Sequence, residues 1–393
     1  MYPTKADKDT MNNPMIAQIL SLPDLVRQVV PAYTANISSS LSRDFCHSFE
    51  HLYLMGCGDS HHVGLATQLA FRTLSGIETE AMTAMQFARY TADTLHDPQR
   101  CLVAGASVSG EVSRTLEGML LARKAGAQVL ALTATPSSRI ARAADVVVDT
   151  TQPPFNDPEG MVIPGVRSFV ANTVGLLLVA IHLGEQRGKL SVAEASQLRS
   201  EISALADAME ETIEKNDPLV KELVKQWQSE NEFVFCGSGP GYASALFSAA
   251  KILEASGDSS MGQDLEEWAH LQYFARHSST PTFVITAGER DGSRALEIVT
   301  AARTIGRRVA VITPQKFAGM FSDDVVKLPF ADGVGEIFHS ILTILPGSLF
   351  AAYRAEQLSE PYFRDFGGGR SKEGGGGISR IRTSETLGLE FLD

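Results

Sequence analysis

The chain has 393 residues, 44% of them hydrophobic, enough apolar material for two compact domains with real cores. Charged residues make up 20%, and the formal net charge is −12. That acidic balance argues against nucleic acid or an anionic membrane as the main partner. Any anionic ligand must be held by local groups rather than by the overall field.

No run of 18 or more apolar residues marks a membrane span. The N-terminal stretch MYPTKADKDTMNNPMIAQIL carries acids and lacks a signal-peptide core. Cys46, Cys57, Cys101 and Cys236 form neither a CxxC pair nor a zinc pattern. The last three lie in or beside apolar runs and read as buried thiols, which fits a reducing cytoplasm.

In chain order, residues 14–42 read as helices leading into the fold. HLYLMGCG (51–58) is an apolar strand ending in glycines, and residues 60–75 are helix-like. CLVAGAS (101–107) is a second strand, followed by a turn and a helix over 115–125. QVLALTA (128–134) and VVVDT (146–150) are two more strands. Residues 151–168 form a loop rich in Pro and Gly, 169–183 a buried helix, and 192–214 a long polar helix.

The second half repeats the plan. FVFCGSGPG (233–241) runs into a Gly turn as LYLMGCGDS does, and a helix over 243–255 follows. Then come TFVITAG (282–288), a helix over 293–305, RVAVITP (308–314), VVKLPF (325–330) and a helix over 334–358. Alternating strands and helices with short loops predict an α/β fold: two units, each a parallel sheet flanked by helices in a doubly wound, flavodoxin-like sandwich. The expected divisions are residues 1–190 for the N-terminal helices and first unit, 191–360 for the linker helix and second unit, and 361–393 for a tail. That tail contains GGGRSKEGGGGISRIRTSE, which reads as a loop closing over something or a linker, and its last apolar residues suggest that the end docks.

Two loops of the first half suit an anion: Gly56-Cys57-Gly58-Asp59-Ser60 and Ser107-Val108-Ser109-Gly110-Glu111. Both join a strand to a helix. In a parallel sheet both lie at the carboxyl ends of strands, where ligands bind. Backbone N–H and serine hydroxyl groups there hold an anion without Lys or Arg. The bland alternative is an ordinary turn and N-cap, for which Ser and Gly are common. Neither loop matches the GxGxxG dinucleotide fingerprint or a Walker loop. His61 and His62 stand beside Asp59, but adjacent helical residues point apart, so no metal site is expected.

The order GCGDS, then ASVSGE, then LALTATPSSRIARAADVVVDT, recurring in the second half, resembles the SIS (sugar isomerase) family. The resemblance spans about residues 45–385. It is nearest to the isomerase half of glutamine–fructose-6-phosphate aminotransferases, fructosamine-6-phosphate deglycases and sugar-phosphate isomerases. It implies tandem SIS domains and a phosphate held by Gly58, Ser60, Ser107, Ser109, Ser113 and the backbone at Val108. The family's Thr in the first loop is Asp59 here, suited to sugar hydroxyls, and its Thr in the second loop is the apolar Val112. A sulfonated sugar is therefore also open.

The same resemblance implies Glu254, in Lys251-Ile252-Leu253-Glu254, as the base that shuttles a proton between C1 and C2, and His270, 16 residues on, as the ring-opening group. Such chemistry wants a carboxylate with a raised pKa and an imidazole that gives and takes protons near neutrality. Without the resemblance both read as structural or solvated residues. Glu267 is a candidate substrate contact, and either Lys372 or Arg380 is the tail residue that enters the site. Only the lysine could form a Schiff base. Glu159 and Arg167 are weaker candidates for the mouth of the site. No cofactor is expected.

Three functions follow in order. The first is an aldose–ketose isomerase for a sugar 6-phosphate or a similar anionic sugar. The second is a deglycase or deaminase that cleaves the C–N bond of a phosphorylated fructosamine or amino sugar. The third is a non-catalytic sugar-phosphate sensor. The expected partners are a small-molecule sugar phosphate and a second copy of the chain, with His270 serving its own or the partner's site.

Overall fold

The computed structural model describes residues 13–370 and 381–392. Two compact units interleave along the chain. One holds residues 25–154, 168–203 and the segment from 366 onward; the other holds the segment up to 24, then 155–167 and 204–365. They are called the first and second unit by the order of their sheets.

Three helices open the chain: α1 (Pro14–Leu20), α2 (Leu22–Ser40) and α3 (Arg43–His47). The first unit continues with β1 (His51–Gly56), α4 (Asp59–Ala70), β2 (Glu78–Thr83), α5 (Ala84–Tyr90), β3 (Cys101–Ala106), α6 (Ser113–Ala125), β4 (Gln128–Thr133), α7 (Arg139–Ala143) and β5 (Val146–Asp149). Then come α8 (Val166–Gln186) and α9 (Val192–Gln226). The second sheet's elements are β6 (Glu232–Gly237), α10 (Pro240–Ala255), β7 (Ser259–Asp264), α11 (Leu265–His270), β8 (Thr282–Ile285), α12 (Gly292–Thr304), β9 (Val309–Pro314), β10 (Val326–Phe330) and α13 (His339–Leu358).

Both sheets are fully parallel and share one order: β2-β1-β3-β4-β5 and β7-β6-β8-β9-β10. The expected α/β class and paired parallel sheets are therefore observed. The buried runs of β3 and β8 read as continuous apolar strands because both faces are covered. The sequence reading misses β2 and β7, each the edge strand beside the sheet's first strand. Their sequences, ETEAMT and SSMGQD, are mostly polar and mix exposed with buried or half-buried positions, so no apolar run reveals them.

The duplication reaches backbone detail. Gly58 caps α4 at φ 55°, ψ −128°, and Gly239 caps α10 at φ 54°, ψ −130°. A Cβ on Gly56 or Gly237 would lie 2.6 Å from backbone of the helix that follows. Each strand thus runs directly under its helix, and only glycine permits the approach.

Two helical stretches, Val166–Gln186 and Glu336–Leu358, are long and apolar enough to cross a membrane, a test that simple run-counting did not register. Their most apolar windows are 94% and 83% buried within the protein, as core helices are.

Candidate functional site

In the first unit β1 and β3 are neighbours, with β2 on one side and β4 and β5 on the other. The strand order reverses between β1 and β3, and their carboxyl ends open the crevice where doubly wound sheets take ligands. The loops 56–60 and 107–113 stand side by side at this point.

The second loop is rigid for identifiable reasons. Gly110 has φ +64°, and a Cβ there would lie 1.9 Å from Ser138 Oγ. Ser107 is buried, and its Oγ accepts the Gly110 amide at 3.1 Å. Glu111 is braced by Arg139: Nε meets Oε2 at 2.8 Å, the Arg139 amide donates to Oε1 at 3.0 Å, and Nη2 donates to the Glu111 carbonyl at 2.6 Å. Sequence reading missed Arg139. Its only signal was a basic residue just after the TPSS turn.

What the loop leaves open matters as much. Among the described residues, the amides of Gly58, Val108 and Ser109 have no acceptor. Ser109 is exposed, with its Oγ 3.3 Å from the Glu111 amide. Ser60 is half-buried in the first turn of α4. Two further groups are engaged. Ser113 donates its amide to the Arg382 carbonyl at 2.9 Å and its hydroxyl to the Ser384 carbonyl. Asp59 faces His62 Nδ1 at 3.6 Å.

The segment 382–388 is thus a strap laid over the amino end of α6. Arg114 donates to the Thr386 carbonyl and pairs with Glu117, which is fully buried and also pairs with Arg89. Leu387 packs on the first unit's core. The tail's end therefore docks, as its apolar residues suggested. Lys372 and Arg380 lie outside the described residues.

The corresponding loop of the second unit is built differently. Asp291 accepts the Thr286 hydroxyl at 2.7 Å and the amides of Ala287 and Gly288 at 3.0 and 3.2 Å. Amides equivalent in place to the free ones of the first unit are closed by the chain's own carboxylate.

Glu254 lies in the last turn of α10, partly exposed, and pairs at 2.5 Å with the fully buried Lys251. His270 ends α11, exposed, with Nε2 3.2 Å from Glu266; Arg294 grips the same carboxylate. Glu267 is exposed beside it. Arg167 is buried under the Phe155 ring and donates to Ser21 Oγ at 2.6 Å, which gives it a packing role; Glu159 is exposed.

Of the other titratable groups near the first crevice, burial and then His62 push His61 down to about 4, so it is neutral at pH 7. Burial raises the Cys57 thiol, which is therefore no nucleophile at neutral pH.

Residues 47–181 match the SIS domain family. The match covers the first sheet and its helices. The chain's second unit repeats the fold of its first. The glutamine–fructose-6-phosphate aminotransferase [isomerizing] of Gloeobacter violaceus is 27% identical over 361 residues, covering 90% of this chain and 57% of that protein. The chain thus spans little more than half the length of that curated relative. Among solved structures, the C-terminal domain of glucosamine-fructose-6-phosphate aminotransferase from Francisella tularensis superposes with TM-score 0.79 at 17% identity, covering 90% of this chain and 98% of that one. Tagatose-6-phosphate ketose/aldose isomerase from Escherichia coli superposes with TM-score 0.70 at 12% identity, covering 91% and 96%. These structures share the fold.

Proposed function

We propose that this protein is an aldose–ketose isomerase acting on a sugar 6-phosphate or a similarly anionic sugar. The observation that carries the reading is the set of unpartnered amides at Gly58, Val108 and Ser109, at the strand-order reversal of the first sheet. Such a set binds an anion without basic side chains. The second unit, with the same topology, closes the counterparts of the Val108 and Ser109 amides with Asp291.

In this reading the phosphate sits on the 56–60 and 107–113 loops, with the Ser60, Ser107 and Ser109 hydroxyls near it. Asp59 takes sugar hydroxyls, since a carboxylate against a dianion is repulsive. His270 passes a proton between ring oxygen and anomeric hydroxyl to open the ring, in a homodimer where it serves its own or the partner's substrate. Glu254 then takes the C2 proton of the open aldose. The electron pair moves into a C1–C2 enediol, and the proton returns at C1 to give the ketose. Lys251 holds the Glu254 carboxylate in place through their ion pair. The name of the 27% identical relative favours a sugar phosphate with its anion at C6, and reduced thiols suit a cytoplasmic setting.

The test is proton NMR in D₂O with a panel of 6-phosphorylated aldoses, ketoses, glucosamine and fructosamines, plus a 6-sulfonated sugar. Deuterium entering at C1 or C2 with interconversion, abolished by Glu254→Gln, is the expected result. Release of ammonia or free amine would replace the isomerase by C–N cleavage. Binding without turnover would make the protein a sensor.

A further inference from the structure

Helix α10, which carries Glu254, ends in an unusual cap. Its C-terminal turn is already closed in the ordinary way: the amides of Ser256 and Gly257 both donate to the Ile252 carbonyl at 3.0 Å, with Gly257 at φ +78°. That leaves the carbonyls of Leu253, Glu254 and Ala255 without helical donors. One guanidinium takes all three. Arg364 Nη1 donates to Leu253 at 2.9 Å, and Nη2 donates to Glu254 at 3.1 Å and to Ala255. Its Nε lies 2.8 Å from Glu360, an ion pair without hydrogen-bond geometry.

The chain strains to deliver this group. Phe363, Arg364, Asp365 and Phe366 all have φ between 47° and 59°. Four successive L-residues in the left-handed region are unfavourable and persist only where the surroundings demand them. Room is kept for the guanidinium too: a Cβ on Gly257 would lie 2.1 Å from Arg364 Nη1.

We infer that Arg364 is a positioning residue for catalysis, holding the backbone of Glu254 while Lys251 holds its carboxylate. The inference rests on Glu254 being the base. Pinned at both ends, Glu254 presents its oxygen to C1 and C2 without the freedom that a helix terminus otherwise has. Arg364 touches main chain, so its loss acts on the chemical step and leaves substrate binding nearly untouched.

The experiment measures kcat and KM of the full chain on whichever panel sugar exchanges deuterium fastest, for Arg364→Met, Arg364→Lys, Gly257→Ala and Glu254→Gln. Arg364→Met is expected to lower kcat tenfold or more with KM within twofold, and millimolar guanidinium is expected to restore part of the loss. Arg364→Lys keeps one donor group and falls between. Gly257→Ala, which intrudes on an intact Arg364, reproduces the kcat loss and covers the case in which the arginine variants do not fold. Wild-type kcat in Arg364→Met, or KM and kcat falling together with the melting temperature, overturns the inference alone. Full activity in Glu254→Gln overturns the function reading and this inference with it.

Discussion

The carboxylate of Asp291 sits where the second unit could otherwise hold an anion, 2.7 Å from the Thr286 hydroxyl and 3.0 Å from the Ala287 amide. Two copies of one topology have thereby diverged, one set of amides left open and the other filled. Asp291→Ala removes three charge-assisted hydrogen bonds and is expected to cost about 2–4 kcal/mol. Inorganic phosphate should then stabilise the variant by more than it stabilises the wild type, since the first-unit amides are open in both. Thermal melts with and without 10–50 mM phosphate, roughly the range where weak anion sites fill, decide it. Equal phosphate shifts in both proteins would mean that the carboxylate is not a stand-in for a ligand.

Glu117 is the electrostatic anchor of the strap. It is fully buried and meets both Arg89 and Arg114, and Arg114 reaches on to the Thr386 carbonyl. Glu117→Ala leaves two guanidiniums facing an apolar core and is expected to cost about 3 kcal/mol. Arg114→Met should instead release the strap with only a small change in melting temperature. Trypsin cleavage at Arg382 reads this directly, and an unchanged cleavage rate would show that Ser113 and Leu387 hold the strap by themselves.

His61 gives the fold an acid limit. Its folded pKa of about 4 lies below the ordinary 6.5, because burial disfavours the imidazolium. The unfolded chain therefore takes up a proton below pH 6.5 that the folded chain refuses until about pH 4. Stability is whole above 6.5 and falls as the pH drops through that window, by about 2 kcal/mol at pH 5. His61→Gln should lose less stability than wild type between pH 7 and pH 5. The difference between the two proteins isolates His61 from His339, whose imidazole is also depressed by burial. Parallel urea melts at both pH values would mean that His61 reaches water in solution.

Much of this molecule is legible in its sequence, and the exceptions have physical causes. The apolar strands and the Gly turns after β1 and β6 are visible because double burial leaves continuous hydrophobic runs. The edge strands β2 and β7 are invisible because their mostly polar, partly buried residues carry no such signal. The loop 107–113 is recognisable, but its brace is not. Arg139 lies 28 residues from Glu111 in sequence, and only the fold brings a helix start beside the loop. Arg364 is hidden more deeply, since nothing in EPYFRDF announces a left-handed turn that caps a helix more than 100 residues earlier. Asp291 looks like one more acid in a loop until Thr286 and two amides are seen to converge on it.

The two serines of the second loop separate binding from scaffolding. Ser109 is exposed, and among the described residues its hydroxyl accepts only the Glu111 amide, at 3.3 Å. Ser107 is buried, and its hydroxyl closes the turn onto Gly110. Ser109→Ala is therefore expected to raise KM about tenfold, the loss of one hydrogen bond to a charged group, while melting within about a degree of wild type. Ser107→Ala should raise KM comparably and also destabilise by about 1–2 kcal/mol, because the Gly110 amide loses its side-chain acceptor in a buried turn. Gly110→Ala exceeds both: its Cβ would strike Ser138 Oγ at 1.9 Å from a left-handed backbone. Steady-state kinetics with melting curves on the three variants give the ordering. A Ser109→Ala protein with unchanged KM would remove the phosphate from this loop, and with it the assignment of Asp59 to sugar hydroxyls.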